Sequence, residues 1–305
     1  MNYKPEGSIF NTATNQKYIS SSQGLSEALE KNIILEAKAV LCTSSHDIIV
    51  DLPCAKGIIT RESGALGIKE GFTRDIALIS RVNKIVCFKI ISLELDKNGE
   101  LIAHLSRRIA QQECFDNFIS ELRSGDIIDA KVTHFEQFGA FVDIGCGIPS
   151  LLPIDMMSVS RISHPSDRFT IGQSIKVAVK SNENGRIFLT HKELLGTWKE
   201  NADRFKSSET VPGIVRSIED YGIFVELSPN LAGLAEPKEG ISVGQSVSVY
   251  IKAILPDKMK VKLIIVDVCA EKAEISDIRY FIDSDHIESW KYSTANSVKN
   301  ISTEF

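Results

Sequence analysis

Along most of the chain, apolar and polar residues alternate with a period of two in short runs cut by Gly, Pro, Asn, Asp and Ser. Such runs predict half-buried β-strands separated by turns. In Gly139-Ala140-Phe141-Val142-Asp143-Ile144, the residues Ala140, Val142 and Ile144 share one parity and face a core, leaving Gly139, Phe141 and Asp143 on a wet face. Further on, Ile223, Val225 and Leu227 point in, with Gly222, Phe224 and Glu226 out. Earlier, Ile48, Val50 and Leu52 point in, with Asp47, Ile49 and Asp51 out. Helical spacing marks two connectors between the copies, over 111–122 with Phe115, Phe118, Ile119 and Leu122, and over 194–205 with Leu194, Leu195, Trp198, Ala202 and Phe205. The Asn/Ser/Thr-rich stretch up to about residue 24 reads as loose, followed by a brief helix over 26–32.

These strands repeat as a set. Phe138-Gly139-Ala140-Phe141-Val142-Asp143-Ile144-Gly145 returns as Tyr221-Gly222-Ile223-Phe224-Val225-Glu226-Leu227-Ser228. Downstream, Ile171-Gly172-Gln173-Ser174-Ile175-Lys176-Val177 returns as Val243-Gly244-Gln245-Ser246-Val247-Ser248-Val249, and upstream Ala130-Lys131-Val132 matches Gly213-Ile214-Val215. A weaker copy precedes them, running from Ala37-Lys38-Ala39-Val40 through 46–52 and Gly57-Ile58-Ile59 to 81–88. Matched segments in one order make the chain three unequal copies of one module. Their boundaries are expected as an extension over 1–35, a divergent module with its connector over 36–122, a well-matched module with its connector over 123–206, and a compact module over 207–270. A tail over 271–305 carries Tyr280, Phe281, Ile282, Trp290 and Tyr292 and is expected to pack on the third module.

Composition narrows the function classes. The 305 residues carry a formal net charge of −5, so polyanion binding has to rest on local geometry and stacking. By segment, 123–206 is +1 and 207–270 is −2. Six scattered cysteines without Cys-x-x-Cys suggest neither a zinc site nor a disulfide framework. No apolar run is long enough to span a bilayer, and the first residues lack a secretory pattern, so a cytoplasmic location without membrane contact is expected. Nucleophile-elbow, Walker-type, zincin and dinucleotide motifs are absent, which points away from an enzyme and from cofactors or metals.

The motifs resemble the S1 RNA-binding domain, a five-stranded OB-type barrel named after bacterial ribosomal protein S1. The carriers are the opening 124–132, the core motif 138–144, the Gly-Gln strand 171–177, and the closing Gly185-Arg186-Ile187-Phe188-Leu189-Thr190-His191-Lys192. Arg161-Ile162-Ser163-His164-Pro165-Ser166-Asp167 is similar to a turn of ribosomal-protein-type repeats. The resemblance covers about 36–266, strongly from 124 onward. It implies an all-β fold with short connecting helices, three tandem OB-fold barrels of S1 type.

The family's nucleic-acid face carries over in part. Its aromatics fall on Phe138 and Phe141 and its hairpin Arg on Arg186, whereas Pro153 and Asn182 replace a His and an Asp. In the last copy, Tyr221, Phe224 and Lys260 hold the aromatic and basic positions, with Glu236 where the His would be. In the first copy His46 and Ile49 replace both aromatics. A flat exposed ring stacks on an unpaired base for about 1–3 kcal/mol, and Gly139 and Gly222 allow the close approach that lets Phe138 and Tyr221 leave the inward parity. Lys131, Arg161, Arg168, Lys176 and Arg186 are candidate phosphate contacts, and His164 is balanced between RNA contact and turn stabiliser. Against stacking stands the plainer reading that Phe141 and Phe224 pack on a neighbouring element.

The expected function is single-stranded RNA binding without catalysis, acting in translation on mRNA at or near the ribosome, by a monomer. The alternatives are an accessory factor in RNA turnover or ssDNA handling, and a protein-docking adaptor on the ribosome. Most affinity is expected in the middle copy and less in the net-negative last copy. The first copy is expected to bind protein or pack within the chain.

Overall fold

The computed structural model describes residues 3–272 and 278–305, with the side chains of 270–272 left aside. Three closed five-stranded barrels follow one another. The first holds β1 (Leu35–Cys42), β2 (Ile48–Leu52), β3 (Ala55–Ile59), β4 (Ile85–Leu95) and β5 (Leu101–Ser106). The second holds β6 (Ile127–Glu136), β7 (Gly139–Asp143), β8 (Pro149–Pro153), β9 (Ser174–Glu183) and β10 (Arg186–Thr190). The third holds β11 (Thr210–Glu219), β12 (Gly222–Ser228), β13 (Leu231–Ala235), β14 (Gln245–Leu255) and β15 (Lys260–Lys272). Numbered within each barrel, the cyclic strand order is 1-2-3-5-4 in all three, closed by a parallel pairing of third and fifth strands. This is the OB-type barrel that the resemblance implies. The inward sets are as alternation dictates: Ile48, Val50, Ala140, Val142, Ile144, Ile223 and Val225 are all buried, although Leu227 is only half-buried.

A bulge sits at the same place in the first strand of the outer barrels, between Ala39 and Leu41 in β1 and between Val215 and Ser217 in β11. The extra residue bends the strand so that it serves two sides of a small barrel, and it reverses side-chain parity beyond that point. Aligned on the repeat, the matching position in β6 is Thr133.

The described residues form two compact units: 3–122 with 129–131 and 143–149, and 123–128 with 132–142, 150–272 and 278–305. In the first unit the N-terminal stretch is ordered, contrary to the loose reading of its composition. Helices α1 (Ala13–Ile19) and α2 (Ser22–Glu30) begin at Thr12 and Ser21, whose hydroxyls accept from the N–H groups of Asn15 and Gly24. The residue types read as loose are helix caps. Asn15 then pairs with the β1 backbone, its Nδ2 donating to the Glu36 carbonyl and its Oδ1 accepting from the Glu36 N–H, each at 2.9 Å.

Glu6 anchors the same stretch. Its carboxylate accepts from Arg107 Nε at 2.6 Å and Nη2 at 3.0 Å and from the Cys87 N–H at 3.0 Å. Burial raises the pKa of this carboxyl, but the Arg107 and Arg81 charges outweigh burial and leave it below its usual value. Asp143, assigned by alternation to the wet face, is 3% exposed and accepts N–H bonds from Glu6, Gly145 and Gly147. Burial and the nearby Glu6 carboxylate push it up to about 6.

The short helix α3 (Ile76–Ile79) lies between β3 and β4. Helix α4 (Arg107–Cys114) starts four residues before the predicted connector because the Ser106 hydroxyl caps it by accepting from the Ile109 N–H, and it runs into a π-turn over Phe115–Ile119. The second connector is broken. A 3₁₀ turn over Lys192–Leu195 precedes α5 (Trp198–Ala202), which restarts at a Thr197/Glu200 capping box.

In the second unit the third barrel's core takes in Trp198, Trp290 and Tyr292. The last two belong to the C-terminal segment, where β16 (Ser289–Lys291) pairs with β17 (Ser302–Glu304). The same segment reaches the second barrel: Phe281 N–H donates to the Leu194 carbonyl, and the Asp126–His286 pair forms an isolated bridge.

Candidate nucleic-acid interface

The close approach of β7 to β8 places the first aromatic pair. A Cβ on Gly139 would lie 2.5 Å from the Leu152 carbonyl oxygen, and one on Gly222 would lie 2.6 Å from the Ala235 carbonyl oxygen. Only glycine permits these two contacts, which are the same contact in consecutive repeats. The residue before each glycine is thereby held in the turn, so that Phe138 is 56% and Tyr221 68% exposed. Phe141 and Phe224, two positions after the glycines, are half-buried on the barrel wall.

Each pair is edge-to-face. The Phe138 and Phe141 centroids lie 6.4 Å apart at an interplanar angle of 81°, and those of Tyr221 and Phe224 lie 6.2 Å apart at 90°. A base can lie flat on one ring with its rim against the other. In the second barrel His134 stacks on Phe141 at 4.5 Å with 6° between the planes, adding a third ring to the platform. Alternation alone groups His134 with the buried Ala130 and Val132, but His134 is exposed, and Thr133 just before it aligns with the bulge positions of the outer barrels. The equivalent of His134 in the third barrel is Ser217, just past the β11 bulge.

The predicted cations divide. Arg186 is exposed at the start of β10, with its guanidinium 5.2 Å from the Phe188 ring centroid. Lys260 is exposed at the start of β15. Arg161 is exposed too, and it lines a cavity with Tyr221, Phe224 and Lys260 of the third barrel.

Two expectations are corrected. Lys131 is half-buried, and its Nζ donates to the Glu6 carbonyl at 3.0 Å, so the N-terminal stretch takes the ammonium that was assigned to phosphate. Arg168 is 1% exposed and makes a two-bond pair with Glu226, at 2.8 and 2.9 Å. Glu226, expected on the wet face, is the buried partner that also receives Arg216. His164 caps the Pro165–Asp167 turn, its Nδ1 accepting from the Ser166 N–H while the Asp167 carboxylate accepts from the Ser163 and His164 N–H groups. Its ring also meets the Phe135 ring edge-on at 5.9 Å. In the first barrel no aromatic stands at the equivalent positions, where half-buried His46 and Ile49 occur.

Comparison with known families matches residues 121–192 to the S1 RNA binding domain. Residues 121–192 belong to the S1 RNA-binding domain family. The S1 domain is therefore the second barrel, with Phe138, Phe141 and His134 on its surface. The chain as a whole is similar to small ribosomal subunit protein bS1 of Staphylococcus aureus (strain COL), at 30% identity over 257 residues, 78% of this chain and 63% of that protein. It is also 31% identical to the bS1 homolog of Bacillus subtilis (strain 168) over 197 residues, 59% of this chain and 51% of that one. The chain thus spans less than two thirds of the length of these curated relatives. Among solved structures, a multidomain protein with nucleic acid binding domains from Streptococcus pneumoniae superposes with a TM-score of 0.26 at 14% identity, over 79% of this chain and 75% of that one.

Proposed function

We propose that the chain is a non-catalytic binder of single-stranded RNA that grips bases on the aromatic pairs of its second and third barrels. It acts in translation on mRNA at or near the ribosome, in the cytoplasm. The observation that carries this reading is the repetition of one geometry, Phe138–Phe141 at 6.4 Å and 81° and Tyr221–Phe224 at 6.2 Å and 90°, with the first ring of each pair exposed. Rings held for core packing would be covered, whereas Phe138 and Tyr221 are more than half exposed. Stacking is indifferent to base identity, which suits a protein that handles varied messages. Similarity of most of the chain to proteins named small ribosomal subunit protein bS1 supports the place in translation.

The test is titration of the full chain with a labelled single-stranded RNA at fixed salt, against the variant Phe138→Ala/Phe141→Ala/Tyr221→Ala/Phe224→Ala. Unchanged affinity in a folded variant overturns the reading. A parallel titration with DNA of the same sequence separates RNA handling from ssDNA handling, since sugar discrimination needs a 2′-OH contact.

The first barrel supports a second role. It lacks the aromatic pair, and its unit exposes Phe72 at 87%, Ile76 at 64% and Ile79 at 44% around α3. A patch of that kind fits protein docking better than RNA binding.

A further inference from the structure

The third barrel's aromatic pair does not stand on an open surface. Tyr221 and Phe224 line a cavity of about 560 Å³, within the range of small-ligand pockets. Two of its walls come from outside the barrel. One is the 159–161 stretch that follows β8, ending in Arg161. The other is the C-terminal segment, which brings Tyr292, Lys299 and Ile301. That segment is fastened in place: the Tyr292 hydroxyl donates to the Asn230 carbonyl at 2.6 Å, Thr294 Oγ1 donates to the Pro256 carbonyl at 2.8 Å, and Asn296 Nδ2 donates to the Asp257 carboxylate at 3.1 Å. The last two bonds hold it against the turn that carries Lys258 and Lys260.

Charge follows from this assembly. Arg161, Lys258, Lys260 and Lys299 are all exposed at the cavity, and among the described residues none of them has a carboxylate within 4.0 Å. Arg216 also lines the cavity, but Glu226 occupies it. Glu219 is the acidic residue among the lining residues. The third module is net −2 by segment and its face is nevertheless cationic, because two of the four free cations are donated from beyond it.

We propose that this cavity is a pocket for one nucleotide of a single-stranded RNA, with the base on Tyr221 and Phe224 and the flanking phosphates between Lys260 and the tail's Lys299, facing Arg161. The proposal deepens the RNA-binding reading and rests on it. It also reverses the expectation that the third barrel is the weaker binder, since a walled pocket fixes base and phosphate together where the open face of the second barrel offers stacking and Arg186.

The test is titration of the full chain with a labelled oligouridylate over a range of salt. Lys299 is exposed and joins no ion pair among the described residues, so Lys299→Ala leaves the fold intact, which an unchanged thermal transition checks. The expected result is a several-fold weaker affinity at low salt for Lys299→Ala, with the slope of log affinity against log salt reduced by about 0.7, as for one lost phosphate contact on a single strand. Tyr221→Ala is expected to weaken binding about 5- to 150-fold with the slope kept. Wild-type affinity and slope in both Lys299→Ala and Arg161→Ala overturn the pocket while leaving the general reading in place, provided Phe141→Ala still weakens binding. If neither Phe141→Ala nor Tyr221→Ala weakens binding, the RNA reading falls and takes the pocket with it.

Discussion

Arg168 and Glu226 form a two-bond ion pair at 2.8 and 2.9 Å with neither side chain more than 2% exposed. Arg168 comes from the loop before β9 and Glu226 from β12, so the pair joins the second barrel to the third within one compact unit. Arg216 closes the cluster at 2.9 Å on the same carboxylate. Removing one partner of a buried pair leaves an uncompensated charge, at a cost of about 3–5 kcal/mol. Glu226→Ala is therefore expected to lower the stability of that unit by about that amount, and more than the double change Arg168→Met/Glu226→Leu. Urea unfolding followed by tryptophan fluorescence measures it, because both tryptophans, Trp198 and Trp290, lie in that unit.

Gly222 carries a backbone constraint that its neighbours do not. Its φ is +154° and a Cβ would sit 2.6 Å from the Ala235 carbonyl oxygen. Gly222→Ala is expected to destabilise the third barrel by about 1–3 kcal/mol through overpacking against β13. It should also displace Tyr221, so RNA affinity falls in parallel. A variant that melts like wild type contradicts the close-approach account.

His191 sets a pH dependence. It is fully buried, its Nδ1 meets the Met157 carbonyl at 2.8 Å, and the Phe169 and Tyr280 rings meet it edge-on. Burial, joined by the Arg168 charge and opposed by the Met157 bond, lowers it to about 4 from an ordinary 6.5. The folded state holds the imidazole neutral while the unfolded chain takes a proton below 6.5, so stability is full above that pH and is lost as pH falls toward 4. At about 1.4 kcal/mol per pH unit the loss amounts to roughly 3 kcal/mol. The tryptophan-monitored transition of wild type should weaken between pH 7.5 and 5, and that of His191→Gln should weaken less.

Glu36 acts in the opposite sense in the other unit. Burial pushes its carboxyl up to about 7 against the N–H bonds from Gly7 and Ile9. The folded state holds the proton more tightly than the unfolded chain does, so this contribution is present below about 4.5 and is lost as pH rises toward 7. Hydrogen exchange at amides of α1, which Asn15 ties to the Glu36 backbone, should be faster relative to intrinsic rates at pH 8 than at pH 5. Glu36→Gln should flatten that difference.

On the second barrel, Phe141→Ala is expected to weaken single-stranded RNA binding by about 1–3 kcal/mol. His134→Ala should weaken it less, because the imidazole reaches the base platform through the Phe141 ring on which it lies. Equal losses in a titration at one salt concentration would mean that His134 contacts a base itself.

The sequence by itself determined the barrels and the aromatic pairs. A period of two assigns Ala140, Val142, Ile223 and Val225 to cores from local pattern alone, and the glycines at 139 and 222 mark where the following strand comes close. The three copies are legible because each barrel must bury the same alternation in the same order. What tertiary structure decided is the fate of the charged and polar residues, since charge says nothing of what lies opposite. Lys131 and Arg168 look like phosphate ligands until Glu6 and Glu226 are seen to take them. Asp143 and Glu226 hold one repeat position that alternation turns to solvent, and each is buried because a segment distant in sequence covers it. Thr12 and Ser21 read as loop residues because capping shows only once the helix behind them packs. Lys299 and Arg161 reach Tyr221 and Phe224 by a fold-back that no local spacing encodes, so the cationic face of the third barrel exists only in three dimensions.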